Sequence, residues 1–521
     1  MKTMTPSQKA TRACCTGVAL LALSQPALAQ ATEPYPGLDA YITRAAQDWK
    51  IPGLAVAIVR NDSVLYTKGY GKLGVANHAL VDGRTMFEIG SSSKSFTATT
   101  IAMLVSDGTM RWDALLTDYL PDFRMYDPAA NASVTIRDAL SHRSGIARGE
   151  FVWVGAGISR AEVLHRVRFL KPETPFRSRW SYQNMMFLAA GEAAGKAAGS
   201  SWDELVRQRI FVPLSMTASA TTYKDYSNTN TAIPHGRDHD TTFIRPRFDA
   251  EDIAPAGSIV SNAVDMAQYL RFQLNDGMVK GKRLVGSAAL RETHTPQMLI
   301  GAGGPGGDSA TTHFNTYGFG WIIQDYRGQL VWQHGGNTSG MTTAMGMMPE
   351  QKFGVVVLSN MGQAPLPDLL RQYIFDRELG EPMRDVSATA YARSMTQRHR
   401  ADSTAKAQDA LRPQGAQPPL PLSAYTATYA DSLYGAVTVT LKDGHLEMTR
   451  ADWSGPLTYV NSTNFSWIMP PASPIGALPI KFEVSPANIV TGLYFGYANE
   501  ITLLNRVNAG RDERPSPPAR Q

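Results

Sequence analysis

Residues Gly53–Val59 (GLAVAIV) form an unbroken apolar, β-prone run, and Ser63–Tyr70 returns as a second strand after the turn-forming pair Asn61-Asp62. From Ser91 the pattern becomes helical: Phe96, Ile101, Leu104 and Val105 fall on one side, and Gly108 stands where a helix stop belongs. Thr135-Ile-Arg-Asp138 has the form of a capping box with an acid in the third position, predicting a short helix that stops near Gly145. Asn184–Gly199 reads as an Ala-rich apolar helix and Trp202–Phe211 as another. Ser261-Asn262 caps a further helix through Leu270. Tyr317–Gln324, Gln329–Gln333, Thr342–Met348 and Phe353–Ser359 are short β-prone runs at hairpin spacing. Strands at both ends with helices between them predict an α+β domain: one antiparallel sheet built from the two ends, plus a helical lobe.

Residues 385–420 change character, becoming rich in Ala, Gln, Ser and Arg before a Pro-rich stretch, and read as a polar helix followed by a linker. Strand-like runs then recur at Gly435–Leu441, His445–Arg450, Leu457–Val460, Ile480–Val484, Ile489–Tyr497 and Ile501–Arg506. They predict a second, all-β domain over 421–508, a small barrel, with a disordered tail at 509–521.

The first residues have another purpose. Lys2, Lys9 and Arg12 precede an apolar run from Ala13 to Leu23, and Ala27-Leu28-Ala29 supplies the small residues a signal peptidase reads. The run is far shorter than the roughly 20 residues a bilayer span needs. Residues 1–29 therefore read as a secretory signal, cleaved after Ala29 to leave no membrane anchor, which predicts a periplasmic or secreted protein whose first domain covers 30–384. Both cysteines, Cys14 and Cys15, lie in the signal, so the mature chain has no thiol for a disulfide, a nucleophile or a metal site. The 521-residue chain carries a formal charge of +5, and the three cations lost with the signal leave +2. That balance argues against a nucleic-acid partner. A hydrophobic content of 43% against 18% charged excludes a wholly disordered chain.

Chemistry enters at Phe87-Glu-Ile-Gly-Ser91-Ser-Ser-Lys94. Ser91 and Lys94 stand at i and i+3, on one helix face. A serine hydroxyl needs a neighbour to take its proton, and a desolvated or crowded lysine can do so. The helix start also presents unpaired N–H groups that favour developing negative charge. Ser403-Thr-Ala-Lys406 matches the same spacing but sits in the polar linker. Tyr182-Gln-Asn184 opens the Ala-rich helix, which distinguishes it from the Tyr-x-Asn triplets at Tyr226, Tyr459 and Tyr497. His334-Gly335-Gly336-Asn337 follows a β-prone run, where two glycines permit close backbone approach. Leu140-Ser-His142-Arg-Ser144-Gly145, at the end of the capped helix, reads equally well as a polar loop or as part of a site.

Taken in order, these segments resemble the penicillin-recognising serine hydrolases: class C β-lactamases, D-Ala-D-Ala carboxypeptidases, D-aminopeptidases and related esterases. Supporting stretches include Ala256-Gly-Ser258 and Tyr317-Gly-Phe-Gly-Trp321, and the likeness covers roughly residues 38–375. The second domain resembles the lipocalin-like β-domain appended to some members. The resemblance implies a β-lactamase/transpeptidase-like fold and an acyl-enzyme on Ser91, with Lys94 and Tyr182 sharing the proton. It implies that Asn184 holds the substrate amide and that the amides of Ser91 and Asn337 form an oxyanion hole. His334 takes the place of the usual lysine of a Lys-x-Gly motif, with Gly335 and Gly336 after it. A histidine there is mostly neutral and offers no fixed charge to a substrate carboxylate. The expected activity is therefore a peptidase or amidase, D-selective or not, or a carboxylesterase. The alternative is a β-lactamase, or a β-lactam-acylated binding or sensor protein with little turnover. No cofactor is expected. The expected partner is a small-molecule or peptide substrate, and the second domain is a candidate surface for homo-oligomers.

Two other enzyme classes fit less well. An α/β-hydrolase needs Gly-x-Ser-x-Gly, which is missing. The cluster His235-Gly-Arg-Asp238-His239-Asp240 lacks the His-Glu-x-x-His pattern of a zinc enzyme, so no metal is expected.

Overall fold

The computed structural model describes residues 33–226, 229–247, 250–301, 311–410, 417–470, 473, 476–496 and 501–507. The expected signal sequence with both cysteines, the tail at 509–521 and Tyr497 lie outside the described residues. No helix among those residues is long and apolar enough to cross a membrane.

A nine-stranded sheet organises the first domain. Its strands run in spatial order Met298–Gly301, Asn315–Tyr317, Ile322–Tyr326, Gln329–Asn337, Thr342–Met348, Phe353–Ser359, Gly53–Arg60, Ser63–Gly74 and Asn77–Leu80, every pair antiparallel. The two ends of the domain meet where Leu54 faces Ser359 and Arg60 faces Phe353. Strand Gly53–Arg60 is apolar up to Val59 because both its faces are covered there. Leu54, Val56 and Ile58 pack with the helices Leu38–Asp48 and Leu366–Glu378. Ala55, Ala57 and Val59 pack on the other side, in the core shared with helices Ser93–Ser106, Asn184–Ala197 and Ala263–Leu274.

Three local expectations are modified. The run Tyr317–Gln324 is two strands, because Gly320 takes a φ of 71° and lies so close to the nucleophile-bearing helix that a Cβ would stand 2.6 Å from the Lys94 carbonyl oxygen. The capped helix ends at Leu140, short of Gly145. The acid of its capping box, Asp138, is wholly buried and binds both Arg143 and Arg177, which draws the chain into a loop. Trp202–Phe211 is an α-helix only to Val206 and then widens into a π-turn.

Helix Val386–Ala410 follows, anchored where Trp49 donates its indole N–H to Ser387 at 3.0 Å. Eight strands from Ala427–Asp431 to Thr502–Arg506 then close an up-and-down barrel, the first pairing with the last. Ala427–Asp431 and Asn464–Ile468 are strands beyond the six expected runs. Tyr425, Tyr429, Phe465, Trp467, Phe482 and Phe495 are buried and fill the barrel interior.

Candidate active site

Ser91 lies in a 3-10 turn, Gly90–Ser92, that runs directly into helix Ser93–Ser106. Two glycines bring this turn against the end of strand Gln329–Asn337. Gly90 has a φ of 52°, and a Cβ on it would stand 2.7 Å from the Asn337 amide nitrogen. A Cβ on Gly336 would overlap the Ile89 carbonyl oxygen at 1.8 Å and lie 3.0 Å from the Ser91 nitrogen. The strand continues through Gly335 and Gly336, paired with Ala344 and Thr343, and Gly336 serves approach rather than termination. The sequence pattern placed its end at Gln333. The Asn337 side chain accepts a hydrogen bond from Thr342 Oγ1 at 2.8 Å.

Lys94 comes from the next turn of the helix and is completely buried. Its Nζ donates to Asn184 Oδ1 and to the Ala256 carbonyl, both at 2.7 Å, and stands 3.2 Å from Ser91 Oγ. Burial pushes its pKa well below the usual lysine value. Glu150 opposes that shift and Arg148 adds to it. A neutral amine has two protons to donate and one lone pair. The two oxygens take the protons, which leaves the lone pair for the Ser91 hydroxyl. In that neutral form the lone pair can take the serine proton.

The Tyr182 hydroxyl donates to Ser91 Oγ at 2.8 Å, and burial raises its pKa so that it keeps its proton. His142 fixes the segment that carries it. With a φ of 57°, His142 accepts the Ser181 N–H on its carbonyl at 2.7 Å and the Gln183 N–H on Nδ1 at 3.0 Å. Its ring lies under Tyr182, centroids 4.3 Å apart. With Nδ1 accepting, the ring proton sits on Nε2, a buried atom with no hydrogen-bond partner, and burial holds the imidazole neutral. Gln183 caps helix Asn184–Ala197 and so delivers Asn184 to Lys94.

His334 is buried beside this group. Its Nδ1–H donates to the Gly335 carbonyl at 2.6 Å, and Nε2 accepts from the Tyr317 hydroxyl at 3.0 Å. Burial, reinforced by Lys94, pushes its pKa down to about 3. It is uncharged at neutral pH.

Lys94 and Tyr182 thus meet at the Ser91 hydroxyl, Asn184 and His334 lie beside Lys94, and Gly336 and Asn337, which follow Gly335 on the same strand, lie against the turn that carries Ser91. The competing motifs do not. Ser403 and Lys406 lie on the exposed face of helix Val386–Ala410, where Ser403 bonds its own helix at His399. His235 opens a β-hairpin with its Nδ1 on the Asn360 carbonyl and its Nε2 accepting from the Val75 N–H. Its ring nitrogens are both occupied by backbone. Sequence reasoning missed Glu150 and Arg148. Glu150 Oε1 accepts from Asn184 Nδ2 at 3.2 Å and from Arg148 Nε at 2.7 Å, and the Arg148 guanidinium lies 5.3 Å from the centre of the Tyr182 ring. Both fall in an aperiodic loop that offers no pattern to read.

Known proteins resemble the chain in sequence and in fold. Residues 38–381 match the family model described as Beta-lactamase, and residues 411–503 match one described as a domain of unknown function, DUF3471. The Unguisins hydrolase ungD of Aspergillus violaceofuscus (strain CBS 115571) is 27% identical over 517 residues, which covers 90% of each chain. Penicillin-binding protein 4 of Amycolatopsis lactamdurans is 27% identical over 336 residues, 62% of this chain and 85% of its own. The octameric penicillin-binding protein homologue from Pyrococcus abyssi superposes with a TM-score of 0.60 at 20% identity, covering 90% of this chain and 99% of its own, a likeness of fold.

Proposed function

The chain belongs to the β-lactamase family of serine hydrolases, and from that premise we propose that it is an exported hydrolase that transfers acyl groups through an ester on Ser91. Its substrates in this reading are peptide amides, D-residue peptides included, or carboxylic esters. The observation that carries the reading is the environment of Ser91 Oγ, which meets the Lys94 amine at 3.2 Å and the Tyr182 hydroxyl at 2.8 Å.

The chemistry follows from those contacts. Lys94 takes the Ser91 proton as Oγ bonds to the acyl carbon. Tyr182, kept protonated by burial, donates to the same oxygen. Negative charge on the acyl oxygen is met by the Ser91 and Asn337 amides, each such donor being worth about 3–4 kcal/mol in a typical oxyanion hole. The C–N or C–O bond then breaks, and the leaving group carries away the proton that Lys94 took. In the second half a water loses a proton to Lys94, its oxygen bonds to the acyl carbon, and Ser91 leaves with that proton.

The neutral His334 favours peptides and esters over β-lactams. With a pKa near 3 it supplies no fixed cation at the position where a β-lactamase holds a lysine. Relatives named as an unguisins hydrolase and a penicillin-binding protein are in keeping with acyl transfer. The substrate class is tested by measuring turnover of a chromogenic cephalosporin, a short-chain nitrophenyl ester, and L- and D-aminoacyl peptides side by side. Peptide or ester turnover well above cephalosporin turnover is expected. Rapid cephalosporin hydrolysis with no peptide or ester cleavage refutes the assignment.

A further inference from the structure

Arg450 ends barrel strand His445–Arg450, yet its side chain leaves the barrel and is only 3% exposed. Nη1 donates to the Val154 carbonyl at 2.8 Å, and Nη2 donates to the Phe151 carbonyl and to Tyr434 O at 3.3 Å. Two of those three acceptors belong to the first domain. The guanidinium also lies 5.5 Å from the centre of the Phe495 ring, and Phe151 meets that ring edge-on at 5.2 Å. Burial lowers the arginine pKa to about 10, so the group is still charged at neutral pH. A buried charge is costly unless it is paired; here Nε has no partner, and two of the three carbonyls that hold the Nη groups come from one short segment of the other domain. Close by, a Cβ on Gly155 would stand 2.5 Å from the Trp453 ring, so this segment and the barrel touch backbone to side chain.

The same segment begins with the 3-10 turn Glu150–Val152. Glu150 holds Asn184 Nδ2, and Asn184 Oδ1 accepts from Lys94 Nζ. A continuous chain of contacts therefore runs from Arg450 through the Phe151 backbone, Glu150 and Asn184 to the amine beside Ser91. We propose that Arg450 is a positioning residue through which the C-terminal barrel sets the place of Glu150 and thereby the readiness of Lys94. The proposal rests on the reading of Lys94 as the base for Ser91.

The groups that face Lys94 are few. Glu150 favours its charged form and Arg148 opposes it. His142 and His334 are buried, held neutral and within electrostatic reach of Lys94. The rings of Tyr182 and Phe187 lie 4.8 and 5.5 Å from Nζ. Glu150 is the one acid in this set. If it withdraws, Lys94 loses the charge that helps it hold a proton, and acylation sets in at lower pH. A loosened Asn184 also orients the amine less well, so the maximal rate falls.

The test is the rate of fluorophosphonate acylation of the full-length chain as a function of pH, a probe that needs no knowledge of the natural substrate. Glu150→Gln is expected to move the midpoint of the rising limb down by about one pH unit, the size typical of a lost neighbouring charge. Arg450→Met is expected to move it in the same direction, and the double variant no further than Glu150→Gln alone. Arg450→Lys keeps a charge and a single donor and should give a smaller shift; it carries the comparison if Arg450→Met does not fold. Variants that slow labelling with the midpoint unmoved, or a double variant whose shifts add, overturn the proposal. A folded wild-type chain that is not labelled at Ser91 at any pH overturns the reading of Ser91, and this proposal with it; a labelled wild type with unmoved midpoints overturns this proposal alone.

Discussion

Lys94 has two carbonyl-type acceptors and one hydroxyl within reach, and burial lowers its pKa towards the neutral amine that can accept the Ser91 proton. Its folded-state proton affinity lies below the ordinary lysine value, so the active neutral form gains ground as pH rises through that lowered pKa. Tyr182 is shifted up and His334 down to about 3, so neither titrates between pH 5 and 9. The acylation rate should therefore show a rising limb from Lys94, at a pH below the ordinary lysine value, with no contribution from Tyr182 or His334. Lys94→Arg replaces the base with a side chain that stays protonated, and should remove the limb and cost about 10²–10⁴ in rate. Tyr182→Phe removes only a donor, and should keep the limb while lowering the rate. Steady-state rates of ester hydrolysis over pH 5–9 for the three proteins check both. At this scale the sequence was readable where residue type and spacing coincide, as in Ser91/Lys94 and Tyr182/Asn184. Glu150 was not, because it reaches Asn184 by a contact 34 residues away, in a loop with no period. Nor could residue type alone tell that His142 turns its chain at positive φ to cradle Tyr182.

Between elements, the decisive contact is that of the Ser91 turn with strand Gln329–Asn337, and two missing side chains make it possible. Gly336→Ala would drive a methyl group into the Ile89 carbonyl and push the strand away from the turn. The sheet around it is buried and well paired, so the chain should fold while the oxyanion pair is pulled apart. The expected result is a kcat lower by about 10²–10³ with near-wild-type circular dichroism. Unchanged turnover would show that the Asn337 amide takes no part. Helices were legible from their caps, as at Thr135 with Asp138 and Asn262 with Asp265. Strands Thr342–Met348 and Phe353–Ser359 were legible from apolar runs. The break at Gly318–Trp321 was not, because its cause is the helix packed against it rather than anything local.

Across the whole molecule, burial of neutral histidines couples folding to acid. His334 and His294 are both pushed to about 3 by burial, and His142 is lowered as well. In the unfolded chain each takes up a proton near pH 6.5. Below that value the unfolded state binds protons that the folded state refuses, so stability is present above pH 6.5 and falls as pH drops towards 3. Each histidine adds a slope of up to about 1.4 kcal/mol per pH unit. His294 lies outside the Ser91 cluster, stacked on Trp332 at 3.8 Å. His294→Gln should flatten the loss of stability between pH 6.5 and 4 by close to one proton, read from urea midpoints; an unaltered slope would mean that His294 is protonated in the folded chain. The two-domain plan was legible in the shift of composition near 385–420. The way the barrel reaches back through Arg450 was not, since that residue reads as the end of an ordinary strand.

Peptide mapping by mass spectrometry after exposure to a fluorophosphonate bears most directly on the role of Ser91. The adduct is expected on Ser91 of the wild-type chain, to be lost in Ser91→Ala and to form far more slowly in Lys94→Arg. An adduct on another serine that persists in Ser91→Ala, or a folded wild type that takes no label while Lys94 and Tyr182 are intact, would contradict it.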